Sequence, residues 1–455
     1  MAKANLVRPL AVVLPFLLLA SPIFADDWSQ WLGDQRDGVW REEGILEKFP
    51  KGGPKVLWRK PIGGGYTGPA VVGNKLYVMD RQLEEGVKNP ADPFARPPLK
   101  GFERVLCLDA KSGETLWAHK YPCEYRISYP AGPRCTPTVH EGKVYALGAM
   151  GDLFCLSADK GEVVWSKSFT QEYKAKPAIW GWSSHPLIDG NKLICVVGGQ
   201  GTVAVAFDKN SGKELWRSVS AREQGYCPPT IFEIDGKRQL IIWDADQVSG
   251  LDPETGKIYW QQAFQLRAGM SISTPRLVNG NQVFLTAFYN GPMMLKLTGG
   301  EKPTAKIVWK GKSENENRTD GLHAVMVTPW IQDGWIYGVC SYGQLRCLKA
   351  ETGERKWATL KPTTGTPTTE GRPLRWANAF IVPHKDRFFL FNEKGELIIA
   401  KLSPEGYQEI DRAQIVEPTQ PVGGRDIVWV HPAFAHRCMF VRNDKEIVCV
   451  SLAAE

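Results

Sequence analysis

The sequence predicts an all-β chain that closes into an eight-bladed β-propeller of four-stranded antiparallel blades. Three observations predict it. An eleven-residue phrase returns at near-constant spacing, a second hairpin pattern precedes most copies, and a detached outer strand near the N-terminus matches one that the last copy lacks.

Residues 1–25 come first. Lys3 and Arg8 precede an apolar run from Leu10 to Ala20, and small Ala25 stands before Asp26. This reads as a signal peptide, too short for a comfortable bilayer span of about 20 residues. No Cys stands at the cleavage point, so no lipid anchor is expected. The mature chain is expected in the periplasm or outside the cell, as a monomer without a transmembrane span. Removing Lys3 and Arg8 leaves 54 basic against 49 acidic residues, a net +5. That excess is too mild to indicate nucleic acid.

Residues 26–55 form an N-terminal segment, with "WSQWLGDQRDGV" at Trp28 to Val39, expected to lie across one face of the propeller. "VLWRKP" (Val56 to Pro61) follows as an outer strand with no inner strand before it. The propeller is expected over 56–455.

The phrase occurs as "CLDAKSGETLW" at Cys107 to Trp117 and "CLSADKGEVVW" at Cys155 to Trp165. It recurs as "AFDKNSGKELW" at Ala206 to Trp216, "GLDPETGKIYW" at Gly250 to Trp260 and "CLKAETGERKW" at Cys347 to Trp357. Apolar alternation, a polar turn with Gly at the seventh place and renewed alternation ending on Trp describe a β-hairpin. Upstream, stretches such as "TPTVHEGKVYALG" (Thr136 to Gly148) add a second hairpin. Pro at the start of each first strand fits a position where no N–H is needed. Degraded copies begin near Leu295 and Ala400, and an eighth at Cys449. From 107 to 449 is 342 residues over seven steps, about 49 each. The last copy stops at Glu455 without an outer strand, so Val56 to Pro61 is expected to complete it and remove an open sheet edge.

Cys107, Cys155, Cys347 and Cys449 hold equivalent apolar places, and Cys195 and Cys340 lie in apolar runs; all are expected as core residues. Cys123 and Cys135 flank a Pro/Tyr/Arg-rich loop and are the candidate disulfide. Arg81 to Gly101, between the second and third strands of blade one, reads as a projecting loop.

Ala206, Asp208, Gly212 and Trp216 place the phrase among the tryptophan-docking repeats: it resembles pyrroloquinoline-quinone (PQQ) repeat propellers over about residues 56–455. That resemblance implies the fold but leaves the activity open. Members include quinoprotein dehydrogenases and non-enzymatic, BamB-like propellers of the outer-membrane β-barrel assembly machinery. The dehydrogenases carry an adjacent-Cys disulfide over the quinone, Ca²⁺ held by Glu and Asn, and an Asp base. No adjacent Cys pair occurs here, and about 49 residues per blade leave little room for insertions over a quinone. The expected role is therefore a binding or scaffold protein without a cofactor. The alternative is a PQQ- and Ca²⁺-dependent dehydrogenase oxidising an alcohol or sugar. No zinc spacing, P-loop, Gly-x-Ser-x-Gly or dinucleotide fingerprint stands in context.

Chains enter each blade at its innermost strand, so the linkers before the first-strand Pro residues ring the central funnel. They are basic and aromatic: Arg134 before blade two, Trp182 and His185 before blade three, and Tyr226 before blade four. His323 precedes blade six, Arg375, Trp376 and Asn378 precede blade seven, and Arg425 and Trp429 precede blade eight. Convergent Arg and aromatic side chains suit a protein partner or a planar or anionic small molecule. Charge removal at Arg134, Arg375 and Arg425 is expected to weaken binding with little effect on stability.

Overall fold

Short apolar alternations bounded by glycine turns form strands of three to nine residues, as in Ala70–Val72 and Lys75–Leu83. The computed structural model describes residues 26–368 and 370–454; the expected signal peptide lies outside them. Among the described residues these strands build eight four-stranded antiparallel sheets. Blades one to seven occupy residues 70–122, 138–168, 187–218, 230–263, 276–310, 330–359 and 379–414. In blade eight, Ala433–Ala435, Cys438–Arg442 and Glu446–Ser451 are completed by Val56–Pro61, with Trp58 opposite Cys449. The N-terminal strand thus closes the ring as the repeat count requires.

The repeated Trp is the joint between blades. The indole N–H of Trp117 on blade one donates to Ala158 O in the turn of blade two, at 3.1 Å. Trp165 reaches Lys209 O, Trp216 Pro253 O, Trp309 Ala350 O and Trp357 Ser403 O in the same way. Trp58 carries the pattern across the closure, donating to Ala110 O of blade one at 3.0 Å. The turn glycine is required twice over. Gly161 has φ +71°, a left-handed conformation, and a Cβ there would lie 2.4 Å from the Trp117 ring. Trp260 departs from the pattern. The first place of its phrase is Gly250, and the indole folds back over it to bond Gln239 Oε1 of its own blade at 2.7 Å.

Residues 28–40 cross the inner strands of successive blades, and residues 42–55 continue outward along blades seven and eight. Trp28 pairs with Val71, Val139 N donates to Ser29 O, and Trp40 N donates to Pro383 O. Innermost strands have one unpaired edge, and the segment supplies partners to it. Arg36 donates to Pro186 O and Pro229 O, and Arg276 donates to Pro329 O and to Asp37 O of the segment. Burial lowers both guanidinium pKa values to about 10. Blade seven lacks the repeated Trp; beside it Ile45, Leu46 and Phe49 pack against the cluster that contains Tyr407 and Ile410.

Two expectations are corrected. Cys123 and Cys135 are free, as are all ten cysteines, and all are buried. They belong to different packing clusters, and the Cys135 thiol faces Ser184 O at 3.5 Å. The insertion in blade one does not project: it folds inward over the mouth of the channel. The linker before blade eight also forms a hairpin of its own, Gln420–Val422 with Arg425–Ile427.

Closing the ring at Trp58 makes this residue as structural as its interior equivalents. Trp58→Ala is expected to cost about 3–5 kcal/mol, the range for a large buried aromatic, and to lower the melting temperature as far as Trp165→Ala does. A thermally silent Trp58→Ala would contradict the closure.

Candidate functional site

The inner-strand linkers and the turns between second and third strands meet at one end of the ring. There they enclose a cavity of about 280 Å³ on the axis. Its floor is Trp31 of the N-terminal segment. Trp31 stacks on His185, with ring centres 4.1 Å apart, and meets His431 edge-on at 5.0 Å. The walls are aromatic: Trp180 against Tyr226 at 5.6 Å, Tyr129 beside Trp429 at 5.9 Å, and Phe288 against Tyr289 at 4.7 Å. Phe94, from the blade-one insertion, closes the top against Tyr129 at 5.1 Å and Trp376 at 6.0 Å.

Six of the residues expected at the mouth line this cavity: Arg134, His185, Tyr226, Arg375, Trp376 and Trp429. The other four do not. Trp182 is buried beneath Gly151 and donates to Val197 O at 2.8 Å, which makes it a packing residue. His323 stands behind the wall. A carbonyl can only accept, so its Nδ1–H donates to Phe288 O at 3.1 Å and holds that residue in place. Asn378 is buried, and neither amide atom has a partner among the described residues. Arg425 braces the wall by pairing with Glu393 at 2.7 Å and donating to Arg375 O at 2.9 Å.

The arginines differ in what compensates them. Arg375 pairs with Glu316 at 2.6 Å and lies over the Trp376 ring at 4.5 Å. Arg425 shares Glu393 with the Trp429 indole N–H. Arg134 donates instead to three carbonyls, of Gly132, Ser128 and Tyr129, and lies 5.0 Å from the Tyr66 ring centre. Carbonyls satisfy its donors without cancelling its charge. All three side chains therefore hold structure, and the expectation that removing them spares stability is revised on that ground.

Two wall residues carry backbone strain. Tyr129 has φ +54° and Trp376 φ +65°, left-handed values that cost a non-glycine residue about 1–2 kcal/mol each. Left-handed non-glycine residues also stand in turns away from the cavity, such as Asp235 and Asn279, so these two mark tight local geometry of the wall.

Both floor histidines are neutral. His185 Nδ1 accepts from Thr136 N–H at 3.0 Å, and burial, Arg36 and His431 push its pKa well down. His431 Nδ1 donates to Pro432 O at 2.7 Å, which leaves Nε2 as an acceptor; burial lowers its pKa to about 4. Burial likewise pushes the Tyr129 phenol up to about 12.

Reading the linkers alone missed Trp31, Tyr66, Phe94, Met270, Phe288 and Tyr289. Tyr66 stands just before Pro69 and had the same linker signal as its equivalents. Phe288 and Tyr289 lie in a turn between second and third strands, which topology puts at the same end. Phe94 and Trp31 carried no positional signal.

The walls fit a planar ring, and Arg134 offers a charge to an acid group. Calcium is a different matter. Glu316 and Glu393, which reach the arginines of this wall, are each committed to a guanidinium. Among the described residues no three His, Cys, Asp or Glu side chains gather as a metal site, and no helix is long and apolar enough to cross a membrane.

A family model described as outer membrane protein assembly factor BamB matches residues 101–359. No curated protein matches the chain by sequence. Among solved structures, BamB from Moraxella catarrhalis is 14% identical with a TM-score of 0.53, over 88% of this chain and 99% of that one. Quinohemoprotein alcohol dehydrogenase from Comamonas testosteroni is 13% identical with a TM-score of 0.59, over 94% and 81%. The computationally designed Ika8 protein is 11% identical with a TM-score of 0.53, over 88% and 100%. At these identities the likeness is one of fold.

The neutral floor predicts a pH dependence. Unfolding returns His431 from about 4 toward its ordinary 6.5. Between those values the unfolded chain takes up a proton that the folded chain refuses, so stability is full above pH 6.5 and falls toward pH 4. From pH 7 to pH 5 this one group should cost about 2 kcal/mol. Denaturant unfolding of His431→Gln at the two pH values should show a correspondingly smaller loss than the unsubstituted protein. An equal loss would remove His431 from the account.

Proposed function

Because this chain belongs to the outer membrane protein assembly factor BamB family of repeat propellers, we propose that it is an exported binding protein whose central cavity holds a planar, anionic small molecule. The observation that carries this reading is the aromatic-walled cavity lined in part by Arg134, a guanidinium held by carbonyls. Aromatic faces supply area at low entropic cost, and a guanidinium beside them offers a charged partner to an acid group. A protein partner would meet Phe94 and the insertion first, so the scaffold role falls to outer surfaces and the cavity goes to a small ligand.

The second reading is a PQQ-dependent dehydrogenase, favoured by the likeness in fold to the quinohemoprotein alcohol dehydrogenase. The cage could admit a quinone ring. The chain lacks the adjacent cysteines of that group, and Glu316 and Glu393 beside the wall are tied to arginines. Binding of PQQ without turnover is the expected behaviour.

Titration with PQQ and with the planar dye 8-anilinonaphthalene-1-sulfonate, read by tryptophan fluorescence, tests the site. Trp376→Gly removes a wall and relieves its left-handed strain. Binding should weaken about tenfold or more while stability stays within about 1 kcal/mol. Arg134→Gln should weaken both probes and cost some stability. If neither variant alters binding, the cavity is not the site. Dye reduction by alcohols or aldoses that requires PQQ and Ca²⁺ would establish the dehydrogenase instead.

A further inference from the structure

We propose that residues 84–100 of blade one are a hinged lid, that ligand passes in and out as the lid opens, and that Phe94 is the face it closes on the bound ring. This deepens the reading of the cavity as a ligand site and rests on it. In blade two the corresponding turn runs only from Leu147 to Asp152, whereas here the chain leaves Leu83 and returns at Gly101. The extra residues cross the mouth from blade one to Trp376, in the linker before blade seven.

The lid is clamped at its base and lightly held at its tip. At the base Leu83 pairs with Gly101 and Leu99 bridges Tyr125. The buried Arg81 guanidinium donates to Leu99 O at 2.7 Å and to Pro130 O at 2.8 Å, and lies 3.8 Å over the Tyr125 ring. Between base and tip the backbone is mostly exposed, and its hydrogen bonds are local turns such as Ala95 N to Asp92 O. The tip is bound through two adjacent carbonyls. Pro93 O accepts from Tyr129 N–H at 2.6 Å, and Phe94 O accepts from Ser128 Oγ at 3.1 Å. Segments with few buried contacts and exposed backbone open at the lowest cost in free energy.

The arm is built to move as a unit. Gly86, at φ +79°, stands in the turn closed by Val87 N–H to Glu84 O, and Val87 packs against the cluster of Leu99, Tyr121 and Tyr125, so the moving part begins beyond Val87. Pro90, Pro93, Pro97 and Pro98 restrict the backbone beyond it. Phe94 lines the cavity and is 42% exposed, so its ring stands at the boundary between ligand space and solvent and narrows the mouth. The other end is stopped by Trp31 stacked on His185. A ligand of the size of the cavity has its path through the mouth.

Labelling from inside the cavity tests the lid without requiring any ligand. Ser183 lines the cavity, and all ten native cysteines are buried, so Ser183→Cys provides a reporter over a low background. With the native lid, N-ethylmaleimide should label it faster than the native cysteines, yet about tenfold or more slower than when Phe94→Ala is added. Both proteins should melt within a few degrees of each other, since Phe94 is half-exposed. Equal labelling rates with and without Phe94 would overturn the lid. So would a reporter that stays unreactive until the protein unfolds, which means a fixed roof. The dye and PQQ titrations keep the two ideas apart. Lid-dependent labelling with no probe bound by any variant would sink the ligand reading, and probe binding with lid-independent labelling would sink the lid.

Discussion

The indole that rests on the next blade's turn is the contact on which the rest of the molecule depends. It delivers an N–H to a turn carbonyl, and at Trp58, Trp117, Trp165, Trp216 and Trp309 it also covers a left-handed glycine. A ring of sheets has no continuous hydrogen-bonded ladder between blades, so the angle from one blade to the next is set by such side-chain joints. Trp58 makes the first blade and the last obey the same rule. Where the joint is altered, the chain compensates locally. Gly250 lets Trp260 turn back on its own blade, and the N-terminal segment packs beside blade seven, which has no such Trp.

Closure has a consequence at the axis. Eight inner strands face a common channel, and their free edges need partners. Residues 28–40 provide them, with Arg36 and Arg276 gathering carbonyls of the inner strands and of the segment itself. At the mouth the linkers splay and the channel widens into the aromatic cage. The cavity is thus what remains of the channel once the plug has filled the rest, and Trp31 belongs to both.

Electrostatics separates the arginines that gather at the mouth. Three guanidiniums brought together repel unless something intervenes. Glu316 and Glu393 intervene for Arg375 and Arg425, and those pairs brace the wall. Arg134 is satisfied by dipoles alone. A site that spends Glu316 and Glu393 on two arginines and carbonyls on the third keeps one positive charge for a ligand. That asymmetry, more than the fold shared with both a BamB and an alcohol dehydrogenase, argues for binding of an acid rather than quinone–calcium chemistry.

By itself the sequence determined the periodic part of this protein. Repeat spacing, the seventh-place glycine, the closing Trp and the orphan strand at Val56–Pro61 were all legible, because each is a local conformational requirement written again in every blade. It also indicated which linkers meet, and six residues from them do line the cavity. Only the tertiary structure decided the rest. Trp182 and Arg134 look alike in a linker, yet one packs under Gly151 and the other faces the cavity; the direction of a side chain depends on neighbours from other strands and turns. Cys123 and Cys135 are near in sequence and belong to different cores. Phe94 and Trp31 occur once each, outside any repeat. Their roles as roof and floor arise because the ring brings its axis to them, a long-range geometry that no local pattern encodes.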